Sequence, residues 1–138
     1  MLIIRDDDYI RLNYLSDFIE DFVAPSQKSR LHYLLSKPKR REEIGGHLHH
    51  SDYLDSRYTR SIAKRDQNAD RIYELMTQIG ATSPCFTFGV RTLGYEGELK
   101  DILQENVGYS IDFVVYCRSV KVGYWQNHDG YCYILSKK

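Results

Sequence analysis

The sequence predicts an α+β fold in which N-terminal helices precede a mostly antiparallel sheet, with the helices packed on one face of that sheet. Two observations predict this fold. Apolar residues recur at helical spacing early in the chain and again over residues 68–79. From residue 111 onward, the chain is instead rich in β-branched and aromatic residues. The length of 138 residues, with 42% hydrophobic and 28% charged residues, is typical of one globular domain, here residues 1–138.

Helical periodicity and end signals place the helices. The first helix is predicted over residues 8–24, and Pro25 marks its end. The helix over residues 68–79 is followed by Gly80, a residue that favours the position just past a helix end. Shorter helices are predicted over residues 26–36, 39–48 and 98–106.

The C-terminal strands are predicted to form a three-stranded antiparallel meander over residues 111–117, 120–125 and 131–135. Pairing the strands symmetrically across their turns sets Cys117 opposite Val120 and Cys132 opposite Tyr124. One face of the meander is then aliphatic and the other aromatic. Further strands are predicted over residues 58–63 and 84–90, and loops over residues 49–57 and around Gly94 and Gly97.

Charge and hydropathy exclude several classes of protein. Lys and Arg together number 19 and so do Asp and Glu, so no global field favours nucleic acid or an anionic membrane. The first residues lack the basic start and apolar run of a signal peptide, and no apolar run is long enough to cross a membrane. These features predict a cytoplasmic protein with no membrane partner.

The cysteines support the same prediction. Cys85, Cys117 and Cys132 are odd in number, widely spaced and form no CxxC pair. We therefore expect three reduced, buried thiols. Cys117 and Cys132 in particular are expected to lie on one sheet face without forming a disulfide, because the predicted register holds them too far apart.

The favoured function is that of a small, soluble, non-enzymatic domain that binds another macromolecule, with a protein as the favoured partner and a second copy of the chain as an alternative. Tyrosine accounts for 12 residues, and tyrosine and tryptophan are enriched at protein interfaces. The predicted binding residues lie on the aromatic face of the meander: Tyr116, Trp125, Tyr131 and Tyr133. The competing interpretation is that the N-terminal helices cover this face and that its aromatic residues belong to the core.

A nucleic-acid-binding function is the second hypothesis. Residues 28–71 carry eleven basic and six acidic side chains, a local net charge of +5 in a neutral chain. The segment 28–65 holds the candidate contacts Lys37, Lys39, Arg40, Arg41, Arg57 and Arg60. Glu42 and Glu43 follow the densest basic run and weaken its field, so any binding is expected to be weak.

A metal-dependent enzyme is the third hypothesis. The candidate ligands cluster in one short stretch: His47, His49, His50 and Asp52. Their spacing matches no strong metal motif, so we expect no bound metal and no cofactor. The sequence also lacks a nucleophile elbow, a phosphate loop and a dinucleotide fingerprint, so no catalytic residues are assigned and an enzyme is not favoured.

Overall fold

The computed structural model describes residues 6–89 and 92–137, with the side chains described from residue 11 onward and, after the gap, from residue 94. Its helices are α1 (Asp6–Phe22), α2 (Pro25–Ser36), α3 (Glu43–Leu48), α4 (Ala69–Gln78) and α5 (Leu99–Asn106). Its strands are β1 (Thr59–Ser61), β2 (Cys85–Gly89), β3 (Thr92–Gly97), β4 (Phe113–Cys117), β5 (Val122–Gln126) and β6 (Cys132–Ser136). None of the described helices is long and apolar enough to span a membrane.

The strands form one antiparallel sheet in the order β1-β6-β5-β4-β2-β3. The predicted α+β class and the C-terminal meander are confirmed. The prediction of a loop around Gly94 and Gly97 is wrong, because residues 92–97 form the edge strand β3. Gly94 there has a φ of +106°, and the pairing of β2 with β3 is irregular between Thr87 and Gly89. A pair of glycines is typical both of a turn and of a strand with irregular pairing, so the sequence alone does not distinguish these two structures.

The helices cover both faces of the sheet, whereas the sequence analysis placed them on one. Helices α1, α2 and α3 pack on the face that carries Phe86, Tyr116 and Trp125. Helices α4 and α5 pack on the face that carries Val115 and Tyr124. The aromatic and aliphatic faces are therefore assigned correctly, but each is covered. Because strands β4 and β5 are buried throughout, both alternating sets of side chains need a covering layer.

The register of the meander differs from the predicted one by two residues in each hairpin. Cys117 lies opposite Val122 instead of Val120, and Tyr124 lies opposite Ile134 instead of Cys132. The first hairpin needs a longer turn, in which Lys121 adopts a φ of 55°. A shift of two residues preserves the side-chain faces because the strand period is two, so the face assignment survives the error.

Cys85 and Cys117 form a disulfide between the neighbouring strands β2 and β4, with their Cα atoms 4.8 Å apart. The expectation of three reduced thiols is therefore wrong. It failed because β2 and β4 are not consecutive, so sequence spacing does not bring these cysteines together. The prediction that Cys117 and Cys132 are not bonded is confirmed, since Cys132 is free and buried.

We predict that denatured, unreduced protein exposes one reactive thiol per chain, that of Cys132, and that reduction raises the number to three. The Cys85–Cys117 bond spans a sequence separation of 32 residues. Replacing Cys85 by Ala should lower the free energy of unfolding by about 2–4 kcal/mol, since the unfolded chain regains loop entropy. Thiol counting and denaturant unfolding measure these effects. Three reactive thiols without reductant would contradict the assignment, and Cys132→Ala is the control that leaves the disulfide intact.

Candidate functional site

The four aromatic residues predicted to bind a partner have different environments. Tyr116 and Trp125 are buried, with exposures of 0% and 1%, beneath the N-terminal helices. The hydroxyl of Tyr116 donates a hydrogen bond to Asp21, and the indole of Trp125 donates to the carbonyl oxygen of Leu48 at 2.7 Å. Tyr133 is half-buried and stacks on Trp125. Only Tyr131 of the four is exposed, at 57%. The core interpretation therefore holds for Tyr116 and Trp125, which no partner can reach in this fold.

Tyr131 lies at the rim of a cleft that a second exposed tyrosine also lines. Tyr109 is 64% exposed, and both side chains border a cavity of about 180 Å³. Ile111, two residues after Tyr109, is also exposed, at 41%. We call Tyr109, Ile111 and Tyr131 the exposed rim. Neither Tyr109 nor Ile111 was predicted as a binding residue. Tyr109 carries no periodic signal, and Ile111 was placed in the predicted strand over residues 111–117, whereas it lies before β4.

The two loops that carry the exposed rim are held by buried side-chain amides. The Nε2 of Gln126 donates to the carbonyl oxygens of Tyr109 and Ile111 at 3.0 and 2.9 Å. The Oδ1 of Asn127 accepts the backbone N–H of Tyr131 at 3.0 Å and that of Asp129 at 3.1 Å. Both amides belong to residues that are only 6% exposed. The loop backbones are therefore fixed before any partner binds.

The cleft offers little chemistry for catalysis. Burial raises the pKa of the Tyr124 hydroxyl and of the Cys132 thiol, which both line it. Both groups are therefore protonated at neutral pH, and a protonated thiol is a poor nucleophile. The described residues that line this cleft include no carboxylate, imidazole, lysine or arginine. The arrangement suits the binding of an uncharged surface.

A second group of residues gathers around the predicted histidine cluster. The rings of His49 and His50 lie 3.9 Å apart between centroids, and the ring of His128 lies 5.6 Å from that of His49. His47 instead faces Tyr53, with its Nδ1 3.2 Å from the hydroxyl. Asp52 is exposed in a short 3-10 helix. His128 was not among the predicted ligands, because it lies far along the chain, in the loop between β5 and β6.

Asp112 fixes His128. One carboxylate oxygen of Asp112 accepts the backbone N–H of His128 at 2.8 Å and lies 2.9 Å from its Nδ1. Within the described ranges, no group of three or more His, Cys, Asp and Glu side chains is already arranged to hold a metal ion.

The basic residues of the second hypothesis are divided between separate places. Arg41 is buried and donates to the carbonyl oxygen of Leu35. Arg40 forms an ion pair with Glu43, and Lys37 lies over the ring of Tyr33. The exposed Lys39 is in the turn before α3.

Arg57 and Arg60 are brought together, since both line an open cleft of about 410 Å³. Arg57 is paired there with Asp55 at 2.6 Å, which reduces its attraction for an anion. The basic segment therefore does not form one continuous surface.

We predict opposite pKa shifts for two histidines. The hydrogen bond and charge of Asp112 raise the pKa of His128, whereas burial and the charge of Arg30 lower that of His47. Protonated His128 therefore stabilises the fold below the unfolded pKa of about 6.5, and this stabilisation is lost as the pH rises through its folded value. For His47 the sign is reversed, because the unfolded chain binds the proton more tightly, so stability falls as the pH falls.

Imidazole NMR titration in the presence of a chelator measures both values. His128 should titrate above His47, and Asp112→Asn should move His128 down while His47 stays in place. A His128 pKa at or below that of His47 would contradict the assigned contacts.

No protein-family model matches this chain, and neither the curated proteins nor the solved structures include a match to it.

Proposed function

We propose that this chain is a small non-enzymatic domain that binds another protein through the exposed rim, Tyr109, Ile111 and Tyr131. The observation that carries the proposal is that two exposed tyrosines border one cleft whose loops are held by buried amides. A protein partner buries such side chains at little entropic cost, since tyrosine has few rotatable bonds and the backbone is already ordered.

The chemistry of the cleft supports a protein partner. Its described lining is uncharged, so a charged ligand gains no ionic partner there. Tyrosine combines a large apolar surface with a hydroxyl, which suits an interface that is partly wet in the free protein. The absence of ionised groups from this lining also supports a binding role over a catalytic one.

Cellular location is a separate part of the proposal. A cytoplasmic location stays a prediction from the sequence. The Cys85–Cys117 disulfide argues against it, because structural disulfides are rare in the reducing cytosol. Counting the free thiols of protein that is isolated from its own cell under alkylating conditions tests the location. Three free thiols would indicate a reducing compartment, and one would indicate an oxidising compartment.

We predict that a photo-reactive phenylalanine analogue at position 131 or 109 cross-links to one and the same protein in cells. The matched control is position 33, since Tyr33 is 51% exposed but lies on α2. With the captured protein purified, Tyr131→Ser and Tyr109→Ser should each weaken its binding about tenfold or more, as expected for tyrosines at the centre of an interface. Tyr33→Ser should leave the affinity unchanged.

Three outcomes contradict the protein-binding proposal. Adducts at positions 131 and 109 that match those at position 33 would show no preferred surface. If neither serine variant changes the affinity of the captured protein for this chain, the cross-link reports a chance encounter and not a binding surface. Adducts removed by nuclease would favour the nucleic-acid hypothesis. If the purified chain sediments as a dimer, the partner is a second copy of the chain. Tyr131→Ser and Tyr109→Ser should then each dissociate that dimer.

Nucleic-acid binding is the second candidate, favoured by one observation. Arg57, Arg60 and Tyr58 line the larger cleft together. The Nζ of Lys137, which is not part of that lining, lies 4.2 Å from the ring centre of Tyr58. A basic cleft with an aromatic ring suits single-stranded nucleic acid, because phosphates and bases both find contacts.

We predict weak binding of single-stranded oligonucleotides at this cleft, since few phosphates are contacted, and this binding should decrease as salt is added because the contacts are ionic. Fluorescence anisotropy at two salt concentrations measures it. Arg60→Gln should weaken the binding, whereas Lys39→Gln, on the exposed turn before α3 and outside the cleft lining, serves as the charge-matched control. No binding at low salt, or equal effects of the two variants, removes this candidate.

A further inference from the structure

We propose that His49, His50 and His128 together bind one divalent transition-metal ion, with Asp112 orienting His128. This site lies outside the exposed rim and does not depend on the proposed protein partner. The expectation of no metal was based on residues 47–52 alone, where the spacing is poor. The structure adds a ligand from a distant hairpin and a carboxylate that orients it.

The fold holds the two histidine-bearing segments together by hydrogen bonds to the end of α3. The indole of Trp125 donates to the carbonyl oxygen of Leu48 at 2.7 Å, and the Nδ2 of Asn127 donates to that of His49 at 3.1 Å. Asn127 stands directly before His128 in the chain, and Trp125 stands three residues before it. The packing of β5 against α3 therefore makes His49 and His128 neighbours. The conformational entropy of the backbone that carries them is already lost when the chain folds, so metal binding does not have to order that backbone.

His128 has the hydrogen-bonding pattern typical of a metal ligand. A ligating imidazole usually donates its other ring N–H to a carboxylate or a carbonyl, which fixes the tautomer and the ring orientation. Asp112 accepts at Nδ1 of His128, at 2.9 Å. The Nε2 then remains as the ligating atom, and Asp129 places an oxygen 3.4 Å from it. The two carboxylates therefore favour a cation at Nε2.

The ligand set selects the class of metal. Imidazole nitrogens suit Zn²⁺, Ni²⁺, Cu²⁺ and Co²⁺, whereas Ca²⁺ and Mg²⁺ prefer oxygen ligands. The three imidazoles do not yet face a single point, so binding requires side-chain rotation. His50 and His128 are exposed and His49 is half-buried, which leaves room for that rotation. Because this reordering costs free energy, we expect micromolar rather than tighter affinity.

The test uses the untagged full chain, freed of metal with a chelator and then titrated with Zn²⁺ by calorimetry and with Co²⁺ by visible absorption. We expect one ion per chain and an absorption band from cobalt bound by nitrogen ligands. His49→Ala and His128→Ala should each lower the affinity about tenfold or more, and Asp112→Asn should lower it by a smaller factor. Alanine at position 49 keeps the backbone oxygen that Asn127 binds, so the fold is retained, as circular dichroism checks.

A matched control exists in the same molecule. His32 of α2 is paired instead with Glu20, whose carboxylate oxygen lies 2.6 Å from its Nε2, and His32→Ala should leave metal binding unchanged. No saturable Zn²⁺ binding in the wild-type chain overturns the proposal. Wild-type affinity in the His128→Ala variant also overturns it, because binding would then come from residues 47–50 alone. Half an ion per chain with dimer formation assigns the metal to a bridge between copies and likewise rejects the single-chain site.

Discussion

The burial of the central strands on both faces is the constraint on which the rest of the structure depends. Every residue of β4 and β5 is buried, so neither face of the sheet centre meets water. The N-terminal helices must cover one face and α4 and α5 the other. Any polar group that these strands carry must then find a partner inside the protein, because an unpaired buried donor or acceptor costs about 1–3 kcal/mol.

These obligatory partners connect the core to the surface. The hydroxyl of Tyr116 is bonded to Asp21, which also faces Lys121, and the indole of Trp125 is bonded to the end of α3. Gln126 binds two carbonyl groups of the loop that precedes β4. The polar ends of Trp125 and Gln126 thus position the loops at the end of the sheet where Gln126 pairs with Phe113. The exposed rim and the histidine group both lie there, so each proposed site depends on the same packing.

Local periodicity predicted most elements and the side-chain faces of the sheet, because both depend on residues close in sequence. Residues 85–89 and 69–78 lie within the predicted strand and helix. The register, the disulfide and strand β3 were not predicted, since each depends on turn geometry or on pairing between distant strands. The placement of helices on both faces was missed for a related reason. Aromatic residues on one face of a strand are compatible with an exposed face and with a covered face, and only the tertiary packing decides which is formed.

The candidate sites were predicted only in part, because they too depend on contacts between residues that are distant in sequence. Tyr131 was named because it lies on the aromatic face of the predicted meander, and it is exposed. Tyr116 and Trp125 were named with it, yet their polar ends are satisfied inside the core. Tyr109 and His128 carry no local signal and become candidates only when the chain folds them beside Tyr131 and His49.

The disulfide has a topological consequence for the exposed rim. The bond between Cys85 and Cys117 closes a covalent ring that contains β3, α5 and the loop with Tyr109 and Ile111. A protease that cuts the backbone once inside this ring produces two chain ends but no free fragment. Tyr131 lies outside the ring on the following hairpin, yet it remains covalently tied through Cys117 to both products. A nicked molecule would therefore keep both halves of the rim in one covalent unit.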